Sequence, residues 1–243
     1  MHVQLRSYGL LYVAGLCVSW ILIRAAAKKY NVMTANDVDN LMFWMSVGCV
    51  LGGRIGYVLF YGIALGTSPI EDLFRFNRGG MSFFGGLIAV TLTMYIFAWK
   101  TKKNLLSLTD LVAGSAPAGL FLGRIGNYFN REIFGPPTSL PWAITDPSDG
   151  IARHPTQLYE ALLEGIVLLV ILYPILWLRP PAAKPGLVSG LFLVLYSFFR
   201  ALMELLRDDS WITGVPFSIS QVLCIPVAVV GLYLIFRTTR LID

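Results

Sequence analysis

Apolar runs dominate this chain, and polar positions punctuate them. Seven runs approach the length of a bilayer crossing: 8–24, 40–61, 82–99, 107–128, 155–178, 186–206 and 217–237. A spanning helix needs about 20 mostly apolar residues. Trp and Tyr recur near the ends of these runs, where interfacial aromatics sit. The pattern predicts an all-α polytopic membrane protein of seven helices. It also predicts one integral membrane domain over residues 1–243, with short outer-face segments.

Composition agrees with that reading. Hydrophobic residues make up 56% of the chain and charged residues 14%, against about 25% charged in globular domains. Basic residues in the loops set the orientation. With the N-terminus outside, the inner segments carry Arg24, Lys28, Lys29, Lys100, Lys102, Lys103, Arg179, Lys184, Arg237 and Arg240. The outer segments carry only Arg6, Arg75, Arg78, Arg131, Arg153 and Arg207. The excess lies inside, as the positive-inside rule requires, and puts the C-terminus in the cytoplasm. Arg6 before an apolar stretch imitates a signal peptide, but Arg24, Lys28 and Lys29 at its far end favour a retained helix.

Several function classes fall away. The basic residues are scattered, which argues against nucleic acid as a partner. Cys17, Cys49 and Cys224 lie inside apolar runs and read as small packing residues. The only histidines are His2 and His154, so a His-rich metal site is not expected. There is no P-loop, dinucleotide fingerprint or H-E-x-x-H.

The remaining arginines, Arg54, Arg124 and Arg200, lie within the second, fourth and sixth spans, each towards the outward end. Unpaired arginine in a bilayer costs a few kcal/mol. Three at one depth point to an anion site in the outer leaflet. Other polar residues share that depth: Tyr8, Asn127, Asn130, Glu132, Gln157, Glu160, Glu164 and Glu204. Gln157, Glu160 and Glu164 lie on roughly one helical face and are expected to pair with the arginines. Arg200 and Glu204 are four apart and can pair along one helix. Asp110 stands outside this set, near the cytoplasmic end of the fourth span.

Four stretches concentrate these residues. Gly-Arg-Ile-Gly occurs at 53–56 and again at 123–126. Helix packing accounts for Gly48, Gly52 and Gly56, spaced by four, but not for the arginines. The run GRIGNYFNREIFG (123–135) mixes an intramembrane arginine with two asparagines and an Arg-Glu pair. RHPTQLYEALLEG (153–165) brings His154, Gln157, Glu160 and Glu164, and FFRALMELLRDD (198–209) brings Arg200, Glu204 and Arg207. In RGGMSFFGGL (78–87), the glycines either let backbone N–H groups approach an anion or permit a bend at a helix entrance; the sequence leaves both open.

These motifs occur together and in order: GRIGYVLFY, GGMSFFGGL, GRIGNYFNREIFG, HPTQLYEALLEG and FFRALME. Their arrangement resembles the bacterial prolipoprotein diacylglyceryl transferases from Tyr8 to about Arg207. The resemblance implies a seven-span enzyme of the bacterial inner membrane with its site towards the outer leaflet. It implies transfer of a diacylglyceryl group from phosphatidylglycerol to the lipobox cysteine of a preprolipoprotein signal peptide, with release of glycerol phosphate. No cofactor or metal is implied. Arg124 and Arg200 would stabilise the phosphate and Glu204 would orient Arg200, and these three are the catalytic candidates. The substrate-binding candidates are Tyr8, Arg54, Gly85, Gly86, Asn127, Asn130, Glu132, Gly135, His154, Gln157, Glu160 and Arg207. The segments 62–80 and 136–153 lie outside and are expected to cover the site.

The chain departs from the family pattern at Phe84, where the pattern has histidine. Phenylalanine neither accepts a proton nor donates a hydrogen bond. Glu132, Glu204 and His154 are candidate replacement bases. Two alternatives stay open at this point: a paralogue that binds phospholipid but transfers another group, and a lipid-binding or transport protein with no chemistry.

Overall fold

The computed structural model describes residues 2–63, 73, 80–207 and 217–240, with side chains from residue 9 onward except those of 61–63 and 239. Among the described residues, seven helices are long and apolar enough to cross a membrane. They are α1 (His2–Tyr30), α2 (Ala35–Tyr57), α3 (Phe83–Thr101), α4 (Leu105–Asn130), α5 (Thr156–Leu178), α6 (Leu187–Glu204) and α7 (Ile219–Arg240). A small antiparallel hairpin, β1 (Ile144–Thr145) and β2 (Ala152–Arg153), lies between α4 and α5. The seven expected spans are all present, and the differences lie at their ends. Helix α1 runs past residue 24 to Tyr30, carrying Lys28 and Lys29 on its last turn. Helix α2 starts at Ala35 because Thr34 and Asp37 form a reciprocal capping box, which satisfies two orphan N-terminal donors.

The helices form two compact units, residues 27–109 and residues 1–26 with 110–243. In the first unit, α2 and α3 meet along a small-residue seam. A Cβ on Gly52 would overlap Ala89 and lie 2.7 Å from the Gly85 carbonyl, and one on Gly56 would lie 2.5 Å from the Gly85 Cα. Close backbone approach of this kind is how helices associate in lipid, where the hydrophobic effect supplies no drive. Ser82 caps α3, its hydroxyl accepting from the Gly85 N–H at 3.2 Å, and its own N–H donates to the Gly53 carbonyl at 2.8 Å. Past Tyr57 the chain winds as a π-helix over Val58–Ile63.

In the second unit, α1 packs on α4 where a Cβ on Gly15 would lie 3.1 Å from the Gly119 carbonyl, and Ser19 donates to the Ser115 carbonyl at 3.3 Å. Gly190 and Gly231 form the same kind of contact between α6 and α7, where a Cβ on either would lie 2.8 Å from the other's carbonyl. Leu168, Leu172 and Leu176 are fully buried on one face of α5. Asp110 is the N-terminal anchor of α6. Its carboxylate, 1% exposed, accepts from the Gly186 N–H (2.8 Å), the Ser189 N–H (2.8 Å) and the Ser189 hydroxyl (2.6 Å). A carboxylate at a helix N-terminus satisfies orphan donors and complements the dipole.

Candidate active site

The site grows from the far end of α4. Asn127 and Asn130 share one face of its last turn. The helix closes when the Glu132 N–H donates to the Asn127 carbonyl at 3.2 Å. The Glu132 carboxylate folds back and accepts from the Asn127 amide at 2.5 Å and the Asn130 amide at 3.1 Å. The backbone leaves through Arg131 (φ 54°) and Ile133 (φ 63°). A left-handed β-branched residue is a real outlier, and such strain persists only where neighbours over-determine it. Here Thr156 donates to the Ile133 carbonyl at 2.6 Å and Gln157 to the Glu132 carbonyl. Gly135 and His154 pair through their backbones at 3.0 Å. A Cβ at Gly135 would meet Thr156 at 2.7 Å and the Leu206 carbonyl at 2.8 Å, so only glycine fits the turn.

Behind this loop lies a cluster of three arginines and three glutamates. Helix α5 includes a π-helical stretch, Ala161–Val167, directly after Glu160; such segments often mark functional sites. A Cβ on Gly165 would lie 2.6 Å from Phe121, so α5 approaches α4 closely beside Glu164. Arg124 spans both α5 glutamates, with Nη1 3.1 Å from Glu160 and Nη2 2.9 Å from Glu164. Arg200 reaches Glu160 at 2.6 Å, Glu204 at 3.0 Å and Glu164 at 3.9 Å. Arg207 approaches Glu160 at 3.6 Å. The glutamate side chains are wholly inaccessible, whereas those of Arg124, Arg200 and Arg207 keep 15%, 10% and 12% exposure. What accessibility the cluster has therefore lies on its arginine side chains and not on its carboxylates. Buried ion pairs add little net stability, but breaking one strands a charge; this arrangement fixes where the forks point.

The hairpin side is held separately. Tyr159 accepts from the Trp142 indole at 2.7 Å and lies 3.3 Å from His154 Nδ1. Arg153 on β2 pairs with Asp149 at 2.5 Å and Asp146 at 3.6 Å. Its hydrogen bond holds the Asp149 carboxyl below the usual carboxylate range.

The structure thus brings together Arg124, Arg200, Glu204, Glu160 and Arg207, and beside them Asn127, Asn130, Glu132, Gly135, Gln157 and His154. Arg54 belongs to the other unit. It is buried, donates to the Gly80 carbonyl at 3.0 Å and lies 5.7 Å from the Tyr57 ring centre. Gly85 and Gly86 are there too. Their amides already donate to the Ser82 hydroxyl and the Ser82 carbonyl, and Gly85 serves the α2–α3 seam. Close packing therefore requires glycine at position 85, whereas a Cβ on Gly86 would meet Cys49 at an ordinary 3.5 Å, so packing does not explain that glycine. Phe84 is buried beside them, edge-on to Phe83 at 5.5 Å. The Tyr8 side chain and most of segment 62–80 lie outside the described residues.

Two features fall outside the catalytic and substrate-binding candidates named from the sequence. Glu164 contacts Arg124 as closely as any glutamate in the cluster; the i, i+4 spacing from Glu160 was its signal. The Asp110 cap joins residues 76 positions or more apart in sequence, and no local pattern announces it.

Chemically, the three arginines are the groups of this cluster suited to an anion. Guanidinium forks present paired N–H donors that match phosphate oxygens, and they lie in low dielectric, where such bonds gain strength. Comparisons with known proteins identify relatives of the whole chain. The profile of a family described as prolipoprotein diacylglyceryl transferase matches residues 1–237. A phosphatidylglycerol–prolipoprotein diacylglyceryl transferase of Nitratidesulfovibrio vulgaris is 42% identical, covering 96% of this chain and 89% of its own. Proteins of the same name from Shewanella oneidensis and Cereibacter sphaeroides are 41% and 38% identical, covering 96% and 97% of this chain and 88% and 91% of theirs. By that match along nearly its whole length, the chain belongs to the prolipoprotein diacylglyceryl transferase family.

Proposed function

We propose that this protein transfers the diacylglyceryl group of phosphatidylglycerol to the lipobox cysteine of a preprolipoprotein. The observation that carries the reading is the Arg124–Arg200–Arg207 cluster, paired with buried glutamates, in a chain that matches the transferase family over residues 1–237. The cysteine sulfur attacks the glyceryl carbon next to the phosphate. The S–C bond forms as the C–O bond breaks, the phosphate keeps the bonding electrons, and the thiol proton is lost. Charge accumulates on the leaving phosphate. Fixed donors aimed at that charge are worth about 10²–10³ in rate each.

Arg124 and Arg200 hold the phosphate, Glu204 orients Arg200, and Glu160 keeps the three guanidiniums converged. Asn127, Asn130, Glu132 and Gly135 shape the wall beside them. Phe84 removes the histidine of the family pattern. General base catalysis contributes about 10²–10⁴, so thiolate supplied by the arginine field, or proton acceptance by Glu132 or His154, sustains turnover. The site faces the outer leaflet of the bacterial inner membrane, with the N-terminus outside. The lipid and the signal peptide enter laterally, and the 136–153 segment covers them.

The test is headgroup release. Phosphatidylglycerol labelled in its terminal glycerol is incubated with full-length protein and a lipobox peptide. Labelled glycerol phosphate is expected to appear in step with loss of peptide thiol, and a Cys→Ser peptide is expected to release none. Release that ignores the thiol would reject the transferase reading. Phe84 is the observation favouring a second reading, a paralogue that binds the lipid without transferring it. Bound lipid with no release would select it.

A further inference from the structure

We infer that Glu164 takes up a proton when a phosphodiester enters the arginine cluster. The inference rests on the proposed function and extends it to the ionisation of the site. Arg124, Arg200 and Arg207 carry three positive charges, and Glu160, Glu164 and Glu204 carry three negative ones when all are ionised. Empty, the cluster is balanced. A phosphodiester adds a negative charge in a region of low dielectric, and three ionised glutamates paired with the forks oppose it. Like charges crowded at one site push one of them to bind a proton.

The geometry selects which. Glu160 is approached by all three arginines, at 2.6, 3.1 and 3.6 Å. Glu204 pairs with Arg200 at 3.0 Å. Glu164 has one short contact, from its Oε2 to Arg124 at 2.9 Å. Among the described residues its buried Oε1 accepts no hydrogen bond and is met by Arg200 only at 3.9 Å, whereas the Glu160 and Glu204 oxygens that likewise lack a hydrogen bond each lie close to a guanidinium nitrogen, at 3.1 Å and 3.0 Å. An inaccessible carboxylate oxygen without a donor is costly as an anion, so this oxygen takes a proton most cheaply. The charged and titratable groups facing Glu164 are Arg124 from α4, Glu160 on its own helix, and Arg200 with the Tyr196 hydroxyl from α6; Cys224 on α7 lies within electrostatic reach. Neutralising Glu164 releases Arg124 from one of its two carboxylates, and its Nη2 edge turns to the phosphate.

The experiment is calorimetric titration of full-length protein with short-chain phosphatidylglycerol, in buffers of different ionisation enthalpy and across pH. For the wild type, the binding enthalpy is expected to change with buffer by an amount equal to about one proton per lipid. Affinity is expected to fall about tenfold per pH unit where uptake operates. Glu164→Gln is expected to bind the lipid with an enthalpy independent of buffer and an affinity independent of pH. Infrared difference spectra are expected to show a new protonated-carboxyl band when lipid binds the wild type. A wild-type enthalpy equal in all buffers would overturn the inference, as would uptake that persists in Glu164→Gln. If that variant fails to fold, the wild-type measurements decide alone: no uptake and no new carboxyl band overturn the inference. Binding without proton uptake refutes it while leaving the transferase reading intact; no binding of phosphatidylglycerol refutes both.

Discussion

Arg200 is the most connected cation of the cluster, and replacing it separates charge from geometry. Its two terminal nitrogens meet Glu160 at 2.6 Å and Glu204 at 3.0 Å, with Glu164 at 3.9 Å. Arg200→Ala removes the shared partner of three inaccessible carboxylates and leaves the cluster one charge out of balance. Breaking a buried pair in this way costs about 3–5 kcal/mol. Arg200→Lys preserves the charge sum but replaces a planar fork with one ammonium, which cannot serve Glu160 and Glu204 with the same directions. Losing one charge-assisted hydrogen bond costs about 1.5–3 kcal/mol. The lysine variant is therefore expected to fold, with a modest drop in stability. Its transfer rate is expected to fall about 10²–10³-fold, the cost of one misplaced transition-state donor. The assay pairs thermal unfolding in detergent with initial rates of glycerol phosphate release. A lysine variant with wild-type rate would show that charge alone matters and sink the argument from the fork. An alanine variant as stable as the wild type would show that the carboxylates are not stranded, and so are not buried as described.

Other expectations are independent of the chemistry. Asp110→Ala strands two N–H groups and a hydroxyl at the start of α6; a loss of about 2 kcal/mol or more is expected in unfolding assays, with lipid affinity per folded molecule unchanged. Gly52→Leu drives a side chain into Ala89 and the Gly85 backbone; thermal scans are expected to show a loss of at least about 1–3 kcal/mol, the usual cost of overpacking. At position 133 the usual order of alanine over glycine, about 0.5–1 kcal/mol in regular structure, is expected to reverse, because only glycine tolerates φ 63° without strain. This is read by comparing the melting of Ile133→Gly with that of Ile133→Ala. Arg153 lowers the Asp149 carboxyl, so that group contributes stability above the unfolded value of about 3.9, which is lost as pH falls through the lower folded value. The protection of residues 144–153, their exchange rate relative to the intrinsic rate at each pH, is accordingly expected to be constant near neutrality and to fall only in strong acid.

The span pattern was legible because hydropathy and helix length report directly on the bilayer. The ends were less so, since α1 continues through charged turns that a hydropathy reading stops at, and α2 begins at a cap rather than at its first apolar residue. That Glu160 and Glu164 pair with intramembrane arginines was readable from spacing and cost, since residues four apart on one helix share a face and a lipid-facing carboxylate is expensive; which arginines was not, for Arg54 lies in the other unit on the Gly80 carbonyl, and Gln157 donates to the Glu132 carbonyl and not to an arginine partner. The capping of the Gly85 amide by Ser82 was not readable, because an amide that binds an anion and one satisfied by a helix cap look the same in a one-dimensional string. Ser82, three residues before Gly85, was the available clue. The Asp110 anchor depends on the approach of α6 to α4, which only tertiary packing sets.

The most direct test of the account is the intact mass of a lipobox peptide incubated with purified full-length protein and phosphatidylglycerol, with Arg124→Ala and Phe84→His alongside. The expected result is a diacylglyceryl adduct on the cysteine from the native chain, absent in Arg124→Ala, which would place the phosphate on this cluster and the working base away from position 84. No adduct from the native chain, with adduct from Phe84→His, would contradict it and mean an intact receptor that has lost its transfer chemistry.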